Sequence, residues 1–355
     1  MKKPILILMF SIMSSILFGQ NKAEAENLVK EGITYHDKGD YAGAISKYDK
    51  ALELDKDNQF ALIEKALSLL SLEKYEEAIS CCQRVIELYP EANGSGMAYV
   101  TCGNAYDAIN KTDKAIEVYD EGIRAFPGFY LLFFNKGISL ARLQEFDEAF
   151  LCFQKSVTLN PEHAGSHNAI AHISYVQNKR IPALLSYCRF FTIEPQSNRA
   201  VENLSRLRTI MKGNVEETGK KSIQINISPD MLGDTTESGK PNENSFTTTD
   251  LSLAISAAMD FDKKYKKKTE IEHFIRKFEI VCSSLKETRK DNYGFFWDYY
   301  VPYFIELKDK DFIETLAYIV FASDDNPDTV KWLKGHQNEI DEFFEWTDSY
   351  EWKSN

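Results

Sequence analysis

Three histidines lie close together at His163, His167 and His172. His163 and His167 stand at i, i+4, a spacing that suits two metal ligands on one helix face. No cysteine or carboxylate joins them at ligand spacing, and His163 falls before the helix that would carry the other two. They read as surface or groove histidines, and no metal is expected. The six cysteines (Cys81, Cys82, Cys102, Cys152, Cys188 and Cys282) occupy places that suit small apolar side chains, so free thiols are expected. Cys82 with Cys102 is the pair best placed for a bridge. Lys263 to Lys268 is the one basic run. It reads as a solvated loop after a helix, with a docking patch for an acidic partner as the other reading. Phe295-Phe296-Trp297-Asp298-Tyr299-Tyr300 could form a stacking surface, but aromatics at helical spacing more often build a core. No glycine-rich phosphate loop, nucleophile elbow or zinc-helix motif is present. Carboxylates abound without any pair standing out. No catalysis and no cofactor are expected.

A formal charge of −12 argues against a nucleic-acid binder, which needs clustered Lys and Arg to displace counterions. With 355 residues and 43% hydrophobic content, the chain can build two or more packed domains.

The elements that would position these side chains are repeats. Small residues recur at Ala44, Ala78, Ala115, Ala149 and Ala183, with gaps of 34, 37, 34 and 34. A second small residue keeps the same phase at Gly32, Ala66, Gly103, Gly137 and Ala171. An aromatic or cysteine follows each alanine by four, at Tyr48, Cys82, Tyr119, Phe153 and Tyr187. Proline closes four of the five units, at Pro90, Pro127, Pro161 and Pro195. Polar turns split each unit in two: Lys38-Gly39-Asp40, Glu73-Lys74, Lys111-Thr112-Asp113, Gln144-Glu145 and Asn178-Lys179. The register resembles the tetratricopeptide repeat (TPR) family. The resemblance covers about half of the chain and implies an all-α, right-handed solenoid of helix-turn-helix units that binds a partner. The insertion Asn93-Gly94-Ser95 accounts for the longer gap. Asn198 to Lys212 reads as the capping helix such an array needs, with Val201, Leu204, Leu207 and Met211 inward.

The expected organisation is a signal peptide at 1–19, five repeats and the capping helix over 25–212, a linker at 213–249 and a second helical domain at 250–352. Lys2 and Lys3 followed by the apolar run Ile5–Phe18 form a secretory pattern too short to span a bilayer comfortably. Its style is bacterial, so an exported protein of the periplasm or the exterior is expected, without stable membrane insertion after cleavage. Within the linker, isoleucines alternate with polar residues over Ser222–Ser228, a strand pattern with no evident ladder partner. Asp234-Thr235-Thr236 resembles a bacterial O-glycosylation motif. Beyond it, Asp250 is placed to cap Leu251–Phe261. Thr269 with Glu272 forms a capping-box spacing before Glu270–Leu285. Asn326-Pro327 opens a last helix reaching Trp346. This tail resembles those of uncharacterised bacterial TPR proteins.

In the family the first helices line a concave groove, and residues two, five, nine and twelve of each unit face it. Carried onto this chain, the partner-binding positions are Phe60, Ile63, Leu67, Met97, Val100, Asn104, Phe134, Ile138, Asn168 and His172. Most are apolar, so the partner implied is a protein or peptide, either an amphipathic helix or an extended apolar segment. The alternative is an envelope enzyme or sugar-binding protein with its site in the second domain. A pocket of convergent polar residues there would favour that alternative.

Overall fold

The computed structural model describes residues 21–219, 222–226 and 242–353. The signal-like segment 1–20, Ile227 and the triplet 234–236 lie outside them. Two compact units divide between Cys152 and Phe153.

The first unit begins with helix α1 (21–37) and continues through α2 (Tyr41–Leu54), α3 (Gln59–Ser71), α4 (Tyr75–Leu88), α5 (Ser95–Ala108), α6 (Thr112–Ala125) and α7 (Tyr130–Arg142) into α8 (Phe146–Leu159). From α2 to α7 each helix packs on the next, and the repeats build successive apolar clusters. The small residues are there because the helices approach closely. A Cβ on Gly32 would come within 2.3 Å of the Tyr48 ring, and one on Gly103 within 2.2 Å of Tyr119. Capping follows the side chains present: Asp40 accepts from the Gly43 amide at 2.8 Å and Asn58 from Ala61 at 3.0 Å. The turns share one device. Gly39, Glu73, Asn110, Gln144 and Asn178 all have positive φ, between 58° and 78°, and recur with the repeat spacing. In the third repeat this places the turn at Asn110, just ahead of the expected triplet. The left-handed residue ends one helix and redirects the chain into the next.

The second unit holds the end of α8, the fifth repeat as α9 (Ala164–Val176) and α10 (Arg180–Ile193), and α11 (Asn198–Met211). A two-stranded antiparallel hairpin follows, β1 (Val215–Gly219) with β2 (Ser222–Ile225), then α12 (Thr247–Ala258), α13 (Glu270–Thr288), α14 (Phe295–Asp309), α15 (Ile313–Val320), α16 (Pro327–Gly335) and α17 (Gln337–Ser349). The isoleucine strand therefore does have a ladder partner, Val215–Gly219. That segment carries no apolar alternation, so its sequence gave no strand signal.

Four further expectations are corrected here. The units do not divide in the linker, because α10 is buried from Arg180 to Thr192 and packs on α12, α14 and α15. Asp250 does not cap α12, which starts at Thr247; its carboxylate instead meets Arg180 at 2.8 Å. The last helix breaks at His336, between Gly335 and Gln337. In α11, Val201 is 56% exposed while Ile210 is buried, and Arg208 bridges to Glu270 and Asp324 within the unit rather than facing water alone. The capping box at Thr269 and Glu272 forms as expected, with amide bonds of 3.2 and 2.7 Å. So does the Asn326 cap.

Candidate functional site

In the first unit the first helices of consecutive repeats touch, α3 on α5 and α5 on α7, whereas no comparable contact joins α2 to α4 or α4 to α6. Helices that approach on one side and splay on the other curve the stack, with the first helices on the inside. This is the face on which the groove residues were expected, and the residues divide into three kinds.

Phe60 and Ile138 are exposed, at 56% and 38%. Leu67, Met97 and Phe134 are half-buried along the same set of helices. Ile63 and Val100, however, are 4% exposed and belong to the repeat cores. The expected continuous apolar strip is thus interrupted, since two of its members spend their surface on neighbouring helices. Asn104 is half-buried and accepts a hydrogen bond from Tyr119 Oη at 2.7 Å, which ties it to the second helix of its own repeat.

Sequence reasoning missed a polar latch between successive first helices. His36 Nδ1 lies 2.7 Å from Ser68 Oγ, and Ser139 Oγ donates to Asp107 Oδ2. Both pairs span 32 residues, from position twelve of one repeat to position ten of the next. Arg142 adds an ionic contact to Asp107 at 3.3 Å. Glu64, near His36 and Asp37, is raised by burial, with His36 opposing and Asp37 reinforcing. The inner face is therefore a mixture of apolar side chains and acidic or amide groups. It can present acceptors to a backbone or to a cationic side chain.

A cavity of about 700 Å³ lies toward the second helices at the repeat that carries the insertion. Leu62, Cys81, Arg84, Cys102 and Tyr106 line it. Its main polar donors are already engaged, Arg84 with Asp57 at 2.8 Å and Gln83 with Tyr106 at 3.0 Å. The thiols are not activated: burial pushes Cys102 up to about 12 and raises Cys81 as well. All six cysteines are free, Cys82 and Cys102 among them.

The remaining two expected residues belong to the second unit. His172 is exposed on α9. Asn168 accepts from Asn203 of α11 at 2.7 Å. The neighbouring histidines do not form a site. His163 Nδ1 meets Ser166 Oγ at 2.7 Å. His167, expected at the surface, is fully buried. Its Nε2 donates to the Pro161 carbonyl at 2.8 Å, because that carbonyl can only accept, so Nδ1 must accept from Tyr300 Oη at 2.7 Å. Burial first, and then the Arg189 guanidinium, lower its pKa to about 3. Arg189, also fully buried, lies over the rings of Tyr303 and Trp352 and pairs with Glu162. The aromatic run of α14 is core: Phe296, Trp297, Tyr299 and Tyr300 are all at most 3% exposed. Among the described residues no group of three or more His, Cys, Asp or Glu could hold a metal ion, and no helix is long and apolar enough to cross a membrane.

Comparison with known proteins bears on the repeats. Models described as tetratricopeptide repeat match residues 25–58, 59–127 and 103–164. The chain is 26% identical over 193 residues to human protein O-mannosyl-transferase TMTC1, a match covering 53% of this chain and 22% of that protein. It is 30% identical over 106 residues to the TPR repeat-containing protein MJ0940 of Methanocaldococcus jannaschii, covering 30% of this chain and 32% of that one. The chain thus spans about a fifth to a third of the length of these relatives. Among solved structures, the TPR protein TTC0263 of Thermus thermophilus is 19% identical, with a TM-score of 0.44, covering 53% of this chain and 98% of that one. The matched models, the 34-residue register and the stacked helix pairs agree: residues 25–164 carry tetratricopeptide repeats.

Proposed function

We propose that the chain is an exported scaffold whose first-helix face takes an amphipathic helix from a protein partner. The observation that carries this reading is the placement of Phe60 and Ile138, which stay exposed on the inner helices while their neighbours Ile63 and Val100 are buried. Exposed large apolar side chains beside half-buried Leu67, Met97 and Phe134 suit the apolar stripe of a helix, and the acidic and amide groups beside them suit its polar flank. The absence of phosphate-loop, elbow and zinc-helix motifs supports binding rather than catalysis. The Lys2-Lys3 and Ile5–Phe18 pattern supports export. N-terminal sequencing of the mature chain should then start near Gln20.

The binding test is the pair Phe60→Asp with Ile138→Asp, used for crosslinking capture from the native envelope. The double variant should keep the helical content and melting curve of the parent and lose a specific captured protein. Capture equal to the parent would place the binding surface elsewhere. Ile63→Asp is unsuitable for this test, since its side chain belongs to the repeat core.

A further inference from the structure

The second unit contains a cavity of about 490 Å³ walled by α11 and α13 and closed below by Phe321. Its volume falls within the range of small-molecule sites. The floor is apolar: Leu207, Met211, Phe274 and Phe321 are each at most 5% exposed, and the rings of Phe274 and Phe321 meet edge to face at 5.8 Å. The upper wall is charged. Lys277 is 6% exposed, and its ammonium donates to the Met211 carbonyl at 2.9 Å and to Asp260 Oδ2 at 2.7 Å. An ammonium has three N–H groups, so one donor is left. His273 Nδ1 lies 2.6 Å from Asp260 Oδ1, without aligned hydrogen-bond geometry. Arg208 spends Nε and Nη2 on Glu270 and Asp324 and keeps Nη1.

The carboxylates here are saturated while the donors are not. Asp260 already faces His273, Arg276 and Lys277. Of the lining residues, Arg208, Lys212 and Lys277 are cationic against Asp260 and Glu270, which leaves one positive charge in excess. A single negative charge balances the cavity, whereas a dianion would be repelled by the two carboxylates in its wall.

We propose that this cavity binds a small monocarboxylate with an aromatic or branched apolar body, its carboxylate held by Lys277, His273 and Arg208 and its body on the Phe274 and Phe321 floor. Burial pulls the Lys277 amine below its ordinary range while Asp260 opposes this, and a bound carboxylate would relieve that burial cost. The site is independent of the groove reading, since none of its residues lies on the first helices of the repeats.

The test uses the full chain with phenylacetate as the probe, followed by calorimetry and by the Met211 methyl signal. Phenylacetate should bind and shift that signal. Neutral phenylacetamide, lacking charge-assisted bonds, should bind about tenfold more weakly, and dianionic phenyl phosphate should also be weaker. Lys277→Met should abolish binding. Because that change leaves Asp260 one partner short and could unfold the unit, Lys212→Gln at the exposed rim and His273→Gln serve as folded variants, each expected to weaken binding several-fold. The proposal is overturned if phenylacetate leaves the Met211 signal unmoved at millimolar concentration. It is equally overturned if phenylacetamide matches phenylacetate, if phenyl phosphate binds more tightly, or if both folded variants bind as the parent does.

Discussion

Gly103 shows how much a single residue type carries in this chain. A methyl group there would sit 2.2 Å from the Tyr119 ring, and Tyr119 is itself fully buried, so neither side can yield cheaply. Gly103→Ala should lower stability by about 1–3 kcal/mol through overpacking, read from urea midpoints; an unchanged midpoint would mean that Tyr119 swings aside at no cost. His167 gives the pH counterpart. Its folded pKa of about 3 lies below the ordinary 6.5, so below pH 6.5 the unfolded chain binds a proton that the folded chain refuses. Its contribution is therefore fully present above pH 6.5 and is lost as the pH falls from 6.5 toward 3, by about 1.4 kcal/mol per unit. His167→Asn should flatten that part of the stability profile, and an identical acid slope in this variant would assign the effect to other groups.

At the scale of elements, α10 departs from what a terminal repeat requires. The outer side of a second helix in such an array ordinarily faces water, yet every residue of α10 from Arg180 to Thr192 is buried. Leu184, Leu185, Phe190 and Phe191 are all fully enclosed. The helices after the hairpin provide the cover that a capping helix alone would not. A chain ended after Met211 would bare this side, and exposed apolar patches of that kind drive association. Light scattering after size exclusion should find it oligomeric or aggregated. A stable monomer of that length would show that α11 suffices as the cap.

At the scale of the molecule, the second unit is stitched across a long gap in sequence. His167 meets Tyr300, 133 residues away, Tyr299 donates to the Val157 carbonyl at 2.8 Å, and Arg180 pairs with Asp250. A protease site engineered into 227–241 and cut to completion should therefore leave two fragments that elute as one species under native conditions. They should separate only in denaturant. Separation without denaturant would restore a domain boundary at the linker.

The sequence by itself determined the repeats, their register, the insertion and the caps at Thr269 and Asn326. It could do so because these depend on neighbours within one repeat or the next: a glycine answers an aromatic 16 residues on, and a cap answers an amide three residues on. Short-range packing of this kind leaves a period in the chain. It also marked the first-helix face of the repeats, since that face follows from helical phase. Only the tertiary structure decided which of those residues remain open. Ile63 and Val100 have the same helical phase as exposed neighbours, and they are buried because adjacent repeats close over them. The same holds for the cover on α10, the buried His167 and the Lys277 cavity. Each depends on side chains brought together from tens to more than a hundred residues apart. No local window records such a pairing, because its energy comes from burial that exists only once the distant helices have packed.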